Sequence, residues 1–375
     1  MDRPSLSPFE LFQLEFGQLV DPRRQGQITY RLDEILFLML SAVISDCQTW
    51  EEIEDFGCDE LAWLRQYYPY AQGIPRHDTL NRVISRLDHQ VFSQHFSCWI
   101  SAWVDLPKGT VINLDGKTSR GSKGSNGQKA IHLVNAFANE LQMVLGQVAT
   151  EEKSNEITAI PTLLNLLSIK GCIITIDAMG TQKAIVEQII EAEADYVLAL
   201  KGNHPEFFEA VQDSFRRLEP ADTDEQIEKN KSRLETRKVE LIKDLSWIPQ
   251  EIISQWPGLK QLARVQRKRE NLLTGKIEVE TRFYILSLYG SAKTIAQVIR
   301  GHWGIENRLH WRMDVLFGED RDRKRVDNAA PNLSIFRKMT QNLLLKNQTR
   351  KASVPRKRKW AARNPSFRNE IIQGV

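Results

Sequence analysis

Residues 171–180 read GCIITIDAMG, an apolar, β-branched run that ends in Asp177. A short continuous apolar run bounded by glycine is typical of a strand that is buried on both faces of a sheet. Next come TQKAIVEQIIEAEA (181–194), whose amphipathic spacing predicts a helix, and DYVLALKGN (195–203), which predicts a second buried strand. The order strand, helix, strand predicts parallel strands covered by helices.

Three more strands and a helix are predicted upstream of this run. TVINLDGK (110–117) is a β-branched strand that ends at Asp115, and AIHLVNAFAN (130–139) and MVLGQVAT (143–150) alternate as a hairpin. NEITAIPTLLNLL (155–167) is helical, with Ser154 as the predicted N-cap. The predicted fold class is α/β, a mixed sheet with flanking helices.

Residues 1–106 have the apolar spacing of helices and predict a separate N-terminal helical domain. In GIPRHDTLNRVISRLD (73–88), a short helix would turn its apolar side inward and present Arg76 and Arg82 outward. This resembles the second half of a helix-turn-helix, which makes both arginines candidate DNA contacts. The alternative is an ordinary surface helix of a small bundle.

The remaining segments divide at changes in composition. Residues 206–290 are charged, with strands predicted at 232–242, 261–271 and 277–288, and indicate a mainly β insertion or extended arm within a domain spanning 107–346. Residues 291–317 and 328–346 are predicted helices. From Lys346 onward the chain has nine Lys or Arg and one Glu, so 347–375 is predicted to be a basic tail, either suited to a polyanion or simply solvated.

The bulk composition of the 375 residues disfavours several classes of protein. A charged fraction of 26% with 41% hydrophobic residues disfavours wholesale disorder, and a net charge of +3 says little about nucleic acid. The longest apolar run, 35–45, is too short for a membrane span. The four cysteines form no C-x-x-C pair, which indicates free thiols in a reducing cytosol. We therefore expect a soluble, cytoplasmic protein with no membrane partner.

Two acids follow apolar strands in this scheme. Asp115 and Asp177 would lie at the carboxyl ends of neighbouring strands, where open α/β sheets place their sites. An ionised carboxylate beside an apolar strand is costly unless something binds it, and Mg²⁺ prefers such hard oxygen ligands. Each acid also has a simpler interpretation, because Asp115-Gly116 is a turn dipeptide and Asp177 could cap the following helix.

A third acid comes from the helix predicted at 291–317. His302, Glu306, His310 and Asp314 are spaced by four residues and would form one polar stripe, with Glu306 at the border of the apolar side. The alternative is a surface Glu306 paired with Arg300 or Arg308. A zinc or di-iron site of His302, Glu306 and His310 is a rival, but the spacing matches neither Glu-x-x-His nor His-Glu-x-x-His.

Several longer strings resemble one family. They are NLDGKTSRGS (113–122), TIDAMGTQKAI (175–185), DYVLALKGNHP (195–205) and HWGIENRLHWRMDVLFGED (302–320), and they resemble the H-repeat-associated insertion-sequence transposases. Residues 24–57 look like the helical region that precedes catalysis in that group, and the resemblance spans about 20–346. It implies an RNase H-like catalytic domain of the DDE type, with Asp115, Asp177 and Glu306 as the catalytic, metal-binding acids. Asp314, Glu319 and Asp320 remain alternatives for the third.

The resemblance implies a prokaryotic DNA transposase acting at the nucleoid as a homo-oligomer on double-stranded DNA. It would cut element ends and transfer 3′-OH ends with two Mg²⁺ ions, for which Mn²⁺ could substitute. A nuclease of the same fold and a silent, DNA-binding relative are the alternatives. The polar residues near the acids are expected to contact DNA: Lys117, Arg120, Lys201, Asn203, His302 and Asn307.

The chain departs from the family pattern at three places. His302 stands where the related pattern has Arg, Arg312 is one place short of the usual basic residue, and Lys231-Ser232-Arg233 replaces an expected His-Gly-Arg. The role of that His-Gly pair is therefore in doubt for this chain, whereas none of the three acids is missing.

Overall fold

A mixed sheet of nine strands runs through the computed structural model, which describes residues 6–124, 129–150 and 156–374. The strand order across the sheet is β3-β2-β1-β4-β5-β9-β8-β7-β6. The strands are β1 (Val111–Thr118), β2 (His132–Ala138), β3 (Met143–Thr150), β4 (Ile173–Ile176), β5 (Asp195–Leu200), β6 (Asp222–Asn230), β7 (Arg233–Ile242), β8 (Gln261–Asn271) and β9 (Ile277–Leu286).

The first five strands form the expected unit. β1, β4 and β5 are parallel to one another, and β2 and β3 form an antiparallel hairpin beside β1. The helices α7 (Glu156–Asn165) and α8 (Lys183–Glu191) make the connections into β4 and β5. All four residues of β4 are buried, as expected for a strand covered on both faces. The arrangement confirms the predicted RNase H-like mixed sheet with flanking helices.

The charged segment after β5 is not a detached arm. It begins with helix α9 (Pro205–Arg217), contains the short α10 (Gln250–Ile253), and folds as the antiparallel meander β6 to β9. Its last strand pairs with β5, so the same sheet simply continues. The insertion is mainly β, as predicted, but its inner strand ends carry buried residues such as Leu241 and Leu286, which join the core of the sheet.

Among the described residues, six α-helices precede the sheet. They are α1 (Pro8–Phe16), α2 (Leu32–Ile44), α3 (Trp50–Asp59), α4 (Leu61–Leu64), α5 (His77–Arg86) and α6 (His89–Trp103). α2 is buried over nearly its whole length, and α6 packs on β3. Helix α13 (Ala329–Lys346) lies between this helical region and the sheet, in contact with α2, α5, α6 and β3. One continuous hydrophobic core therefore joins the N-terminal helices to the sheet.

The helix predicted at 291–317 is divided into three parts. α11 (Ala292–Gly304) passes into a π-helical segment (Ile305–His310) and then α12 (Trp311–Val315). The π turn widens the helix at this point, but His302, Glu306, His310 and Asp314 all line the same cavity, as the predicted polar stripe requires. Such π segments are frequently found at functional sites.

The C-terminal residues are folded, which corrects the expectation of a basic tail. α14 (Val354–Arg363) and α15 (Pro365–Gln373) pack on the N-terminal helices. The Arg358 guanidinium is buried and donates to the Val43 and Leu316 carbonyl oxygens. Arg368 is also buried, between the rings of Phe56 and Trp63. The arginines that suggested a solvated tail are thus partly internal.

Two other features bear on the sequence predictions. Ser154, the predicted N-cap of α7, lies outside the described residues. In the ranges that the structure describes, no helix combines the length and the apolar character needed to cross a membrane.

Candidate active site

The three predicted acids line one cavity of about 980 Å³ at the carboxyl edge of β1 and β4. Leu114 of β1 pairs with Ile176 of β4, and Asp115 and Asp177 are the residues that follow this pair. β1 continues beyond Asp115 to Thr118 through its pairing with β2, so the predicted strand end is wrong. Asp115 lies instead within the strand, at the point where its parallel neighbour β4 stops, and this places the two acids side by side.

Asp177 is held by the turn that follows β4. Its Oδ1 accepts from the backbone N–H groups of Met179 (3.0 Å) and Gly180 (3.1 Å). α8 begins six residues later at Lys183, behind the N-cap Gln182, so Asp177 does not cap that helix. Among the described residues no donor bonds its Oδ2, which is available to a ligand at the cavity.

Asp115 lies in a strongly negative environment. Burial, followed by the charges of Glu306 and Asp177, raises the pKa of Asp115 to about 7. His310 Nδ1 is 3.7 Å from Asp115 Oδ2, but burial and the positive charge of Lys117 lower the pKa of His310 to about 3, so this imidazole is neutral. The carboxylates therefore receive no counter-charge from His310, and a bound cation would relieve their repulsion.

Glu306 reaches the cavity from the π segment. Its neighbours are engaged elsewhere: Arg300 pairs with Glu228 at 2.5 Å, and Arg308 donates to the Asn139 carbonyl oxygen at 3.2 Å. A side chain added at Gly304 would overlap the Asn139 amide, so this glycine lets the helix approach the β2–β3 turn closely. Within the described part of the chain Glu306 forms no ion pair, which removes the interpretation of a surface Glu paired with arginine.

The three alternative acids lie together in another network. The Lys117 amine is 2.6 Å from Asp314, 2.8 Å from Glu319 and 3.5 Å from Asp320. Glu319 is buried and also accepts from the Ser334 hydroxyl at 2.6 Å. Lys117 was expected to contact DNA, but it is only 9% exposed. We correct that expectation: Lys117 ties β1 to the loop after α12.

His302 is partly buried and hydrogen-bonded. Its Nδ1 lies 2.8 Å from the Thr175 hydroxyl, which donates to Asn113 Oδ1 at 2.7 Å. Because the single hydroxyl proton is used toward Asn113, the assigned tautomer of His302 donates from Nδ1. Burial lowers the pKa of His302 to about 4, so it lines the cavity as a neutral ring and not as a cation for phosphate.

The other predicted DNA contacts divide into two groups. Arg120, Lys201 and Asn307 are exposed and line the cavity, and the Arg120 backbone N–H also donates to Asp320 Oδ1. Asn203 does not line the cavity, since its amide donates to the Ala178 carbonyl oxygen and holds the turn after Asp177. On α5, Arg76 and Arg82 are exposed and Leu80, Val83 and Ile84 are buried, as predicted, but this face is outside the cavity.

The three acids are oxygen ligands of the kind that a hard divalent ion prefers, but they are not assembled as a metal site in this structure. In the described residues, no three His, Cys, Asp or Glu side chains are already grouped closely enough to hold a metal ion. The His302–Glu306–His310 rival is not assembled either, because Nδ1 of His302 is engaged by the Thr175 hydroxyl and the described residues hold no such metal-ligating group. Asp115, Asp177 and Glu306 supply oxygen atoms on one cavity wall, with the unrelieved negative charge that a divalent cation would neutralise.

Sequence reasoning missed a buried pair beside Asp115. The His132 imidazole contacts the Glu156 carboxylate, and its other nitrogen lies 2.9 Å from the Thr118 hydroxyl. Any side chain at Gly116 would overlap this pair. The dipeptide Asp115-Gly116 was weighed as a turn signal, whereas the glycine is needed for close packing within a strand. Gly116 was the only sequence signal for this pair, and a glycine does not show which side chains pack against it.

Two family models place the chain in the class of DDE-type transposases. The chain belongs to the family described as "Transposase DDE domain", whose model matches residues 88–343. A second family model, "DDE_Tnp_1-associated", matches residues 14–100 and so covers most of the N-terminal helices. The expected resemblance is thereby confirmed.

Full-length relatives agree with this membership. The chain is 42% identical over 361 residues to "Putative transposase YncI" of Escherichia coli O157:H7, covering 94% of this chain and 92% of the relative. It is 39% identical over 364 residues to "H repeat-associated putative transposase YhhI" of Escherichia coli K12, covering 94% and 95%. A solved piggyBac transposase synaptic complex with hairpin DNA aligns over 99% of this chain and 82% of its own, at 12% identity and a TM-score of 0.46.

Proposed function

We propose that this transposase cuts DNA at the ends of its element and joins the resulting 3′-OH ends to target DNA, with Asp115, Asp177 and Glu306 as the catalytic acids. One observation carries the assignment of these residues. The pKa of Asp115 is raised to about 7, and after burial the largest causes are the other two acids. Strong like-charge coupling inside a cavity is typical of a site built to bind cations.

The three acids are suited to two Mg²⁺ ions, or Mn²⁺ in their place. When bound, such ions would activate the attacking oxygen and stabilise the leaving oxygen of a phosphodiester. The chain itself supplies position: the turn after β4 fixes Asp177, β1 fixes Asp115, and the π segment presents Glu306. The neutral His302 adds no positive charge that would compete with the ions.

The exposed cations at the cavity would hold the DNA backbone. Arg120 is 85% exposed at its side chain, and Lys201 follows β5 at the same edge of the sheet. Both could reach phosphates that flank the scissile bond, which positions the duplex without reading its sequence. We propose Arg76 and Arg82 of α5 as a second, separate contact. We also propose that a homo-oligomer brings two element ends together, and that it acts at the prokaryotic nucleoid.

The test is cleavage and strand transfer on labelled duplexes that carry the element ends, in Mg²⁺ or Mn²⁺. The variants are Asp115→Asn, Asp177→Asn and Glu306→Gln, which remove charge with little change of shape. Glu187→Gln, on the exposed side of α8, is the matched control. We expect each catalytic variant to bind DNA and to lose both steps by at least about 10³-fold, while the control keeps them.

Other outcomes have definite meanings. Cutting without joining would identify a nuclease of the same fold, and binding without cutting under any metal would identify a DNA-binding relative. An active Glu306→Gln combined with an inactive Asp314→Asn or Asp320→Asn would move the third acid into the Lys117 network. Light scattering of the protein with and without end duplexes tests the homo-oligomer.

A further inference from the structure

The helix α14 has two sharply different faces. Lys357, Arg358 and Ala361 point inward and are buried, and the Lys357 amine donates to the Leu344 carbonyl oxygen at 2.8 Å. The outward positions carry Arg356, Lys359 and Arg363, all exposed. Three further exposed cations lie just before the helix. We call this set the C-terminal basic face: Lys346, Arg350, Lys351, Arg356, Lys359 and Arg363.

The positive charge of the C-terminal basic face is uncompensated. In residues 6–124, 129–150 and 156–374, none of its six cations pairs with a carboxylate. Arginines of the meander β6 to β9, by contrast, do pair with acids: Arg267 pairs with Glu280 and Arg269 with Glu235. Like charges repel at close range, so an unpaired cluster of this size favours a polyanion.

Aromatic rings hold part of this face in place. The Arg350 guanidinium carbon lies 4.9 Å from the centre of the Phe367 ring and 5.5 Å from that of Trp360. The Arg356 guanidinium carbon lies 4.8 Å from the centre of the same Trp360 ring. Cation–π contacts offset the mutual repulsion of the two arginines without neutralising either charge. The cations are therefore kept near one another with their full charge presented to solvent.

The C-terminal basic face is linked to the catalytic cavity through α12. Trp311, 52% exposed, lines both the catalytic cavity and a second hollow of about 760 Å³. Lys351, Pro355 and Lys357 line that second hollow. Arg358 fixes α14 to the end of α12 by donating to the Leu316 carbonyl oxygen at 2.9 Å. Ten residues separate Glu306 from Leu316, which corresponds to at most about 15 Å, the rise of a regular α-helix of that length.

We infer that the C-terminal basic face binds the phosphate backbone of the duplex DNA on which the catalytic cavity acts, an inference that rests on the proposed function. Phosphates along one strand are about 3.4 Å apart in helix rise, so a duplex seated at Glu306 would reach α14 within a few base pairs. The contact would be independent of base sequence, because phosphates carry no sequence information. It would thus serve element ends and target DNA alike.

The test compares two triple variants with equal loss of charge. Arg356→Gln, Lys359→Gln and Arg363→Gln together remove half of the C-terminal basic face. Lys108→Gln, Lys260→Gln and Lys293→Gln are the control, three exposed lysines before β1, before β8 and in the first turn of α11. Fluorescence anisotropy measures binding of the whole protein to a random duplex and to an element-end duplex across a series of salt concentrations.

We expect the first variant to weaken binding to both duplexes. The slope of log affinity against log salt concentration should become less steep by about one for each lost phosphate contact, and so by up to about three. The control keeps the wild-type slope, and thermal unfolding midpoints of both variants match the wild type. Equal slopes in the two variants would overturn the inference, and so would weakening confined to the element-end duplex.

The assay separates this inference from the proposed function. If the wild type never cuts DNA but the slope still falls in the first variant, the proposed function fails and the C-terminal basic face remains a DNA contact. If Glu306→Gln abolishes cutting but the two triple variants bind alike, the function holds and the inference falls. A polyglutamate competitor that displaces duplex at equal charge would show a general polyanion surface and also overturn it.

Discussion

The Lys117 amine lies 2.8 Å from Glu319 Oε2, at a point where both side chains are almost closed to solvent. Lys117 is two residues from Asp115 on β1, and Glu319 belongs to the loop after α12. The ion pair therefore joins the strand that carries one proposed catalytic acid to the segment that follows Glu306. Burial raises the pKa of Glu319, but the charges of Lys117 and Lys338 more than offset this and lower it to about 2.

Removing Lys117 should destabilise the protein. Lys117→Met leaves Glu319 buried without its partner, and breaking a buried pair from one side costs about 3–5 kcal/mol. Lys117→Met combined with Glu319→Gln should lose less than the sum of the single changes, by about 0.5–3 kcal/mol, because neither charge is then left alone. Urea unfolding of the wild type, the two single variants and the double variant measures this double-mutant cycle.

Lys201→Met is the control for this cycle. Lys201 is exposed, so its loss should change the free energy of unfolding by no more than about 0.5 kcal/mol. The sequence suggested that Lys117 touches DNA. That role would be restored if Lys117→Met kept full stability and lost only DNA affinity.

Metal affinity should depend on pH through Asp115. Its pKa is raised from 3.8 to about 7 in the metal-free protein, and a metal ion binds only the ionised carboxylate. As pH rises from 6 to 8 the ionised fraction grows by about tenfold, and the apparent affinity for Mn²⁺ should grow with it. Below pH 6 binding should keep falling, and above pH 8 it should level off. Calorimetric titration with Mn²⁺ at several pH values checks this.

The variant Glu306→Gln supplies the internal comparison. Removing this like charge lowers the pKa of Asp115, so the ratio of affinities at pH 8 and pH 6 should shrink even though both affinities fall. An unchanged ratio would mean that Glu306 and Asp115 are not coupled, and the proposed site would lose its main support.

Gly116→Ala should disturb the site without touching any proposed catalytic acid. The added methyl group would overlap the His132 and Glu156 side chains, which are buried and bonded to each other. Overpacking of this kind typically costs about 1–3 kcal/mol, and a shift of β1 would displace Asp115. We expect a lower unfolding midpoint and weaker cleavage.

Gly26→Ala is the matched change, since a methyl group there meets nothing within 4 Å. It should leave stability and cleavage as in the wild type. If the Gly116 variant behaved like the Gly26 variant, the close packing of His132 and Glu156 against β1 would be refuted.

Much of the fold follows from local pattern. The runs around Asp115 and Asp177 are long enough, and apolar enough, to predict strands in the correct order, and the hairpin between them alternates clearly. The pairing of β5 with β9 could not be predicted, because it joins Val197 to Leu286 across the whole insertion, and nothing local specifies that contact. The sequence therefore left open whether this segment is a mainly β insertion or an extended arm.

The site illustrates a similar limit. Asp115 and Asp177 were expected from their places after apolar strands, and Glu306 from the family resemblance, and all three line one cavity. The charge of the cations alone, however, could not show which of them are exposed. Lys117 and Arg120 are three residues apart in one motif, yet one is buried among carboxylates and the other is 85% exposed. Which face a side chain takes depends on tertiary partners such as Glu319, two hundred residues away in sequence.

The C-terminal helices allow a direct test of whether residues 347–375 are packed, as in the structure, or form the loose basic tail that their composition suggested. Phe367 is fully buried in the main core, and its neighbours Ile371 and Ile372 are buried with it. Phe367→Ala should therefore cost about 3–5 kcal/mol of unfolding free energy, as for a core phenylalanine. Lys359→Ala, eight residues earlier and exposed, should cost at most about 0.5 kcal/mol. Equal, negligible effects in urea unfolding would mean that residues 347–375 are a loose tail after all, and the C-terminal basic face would then have no rigid support.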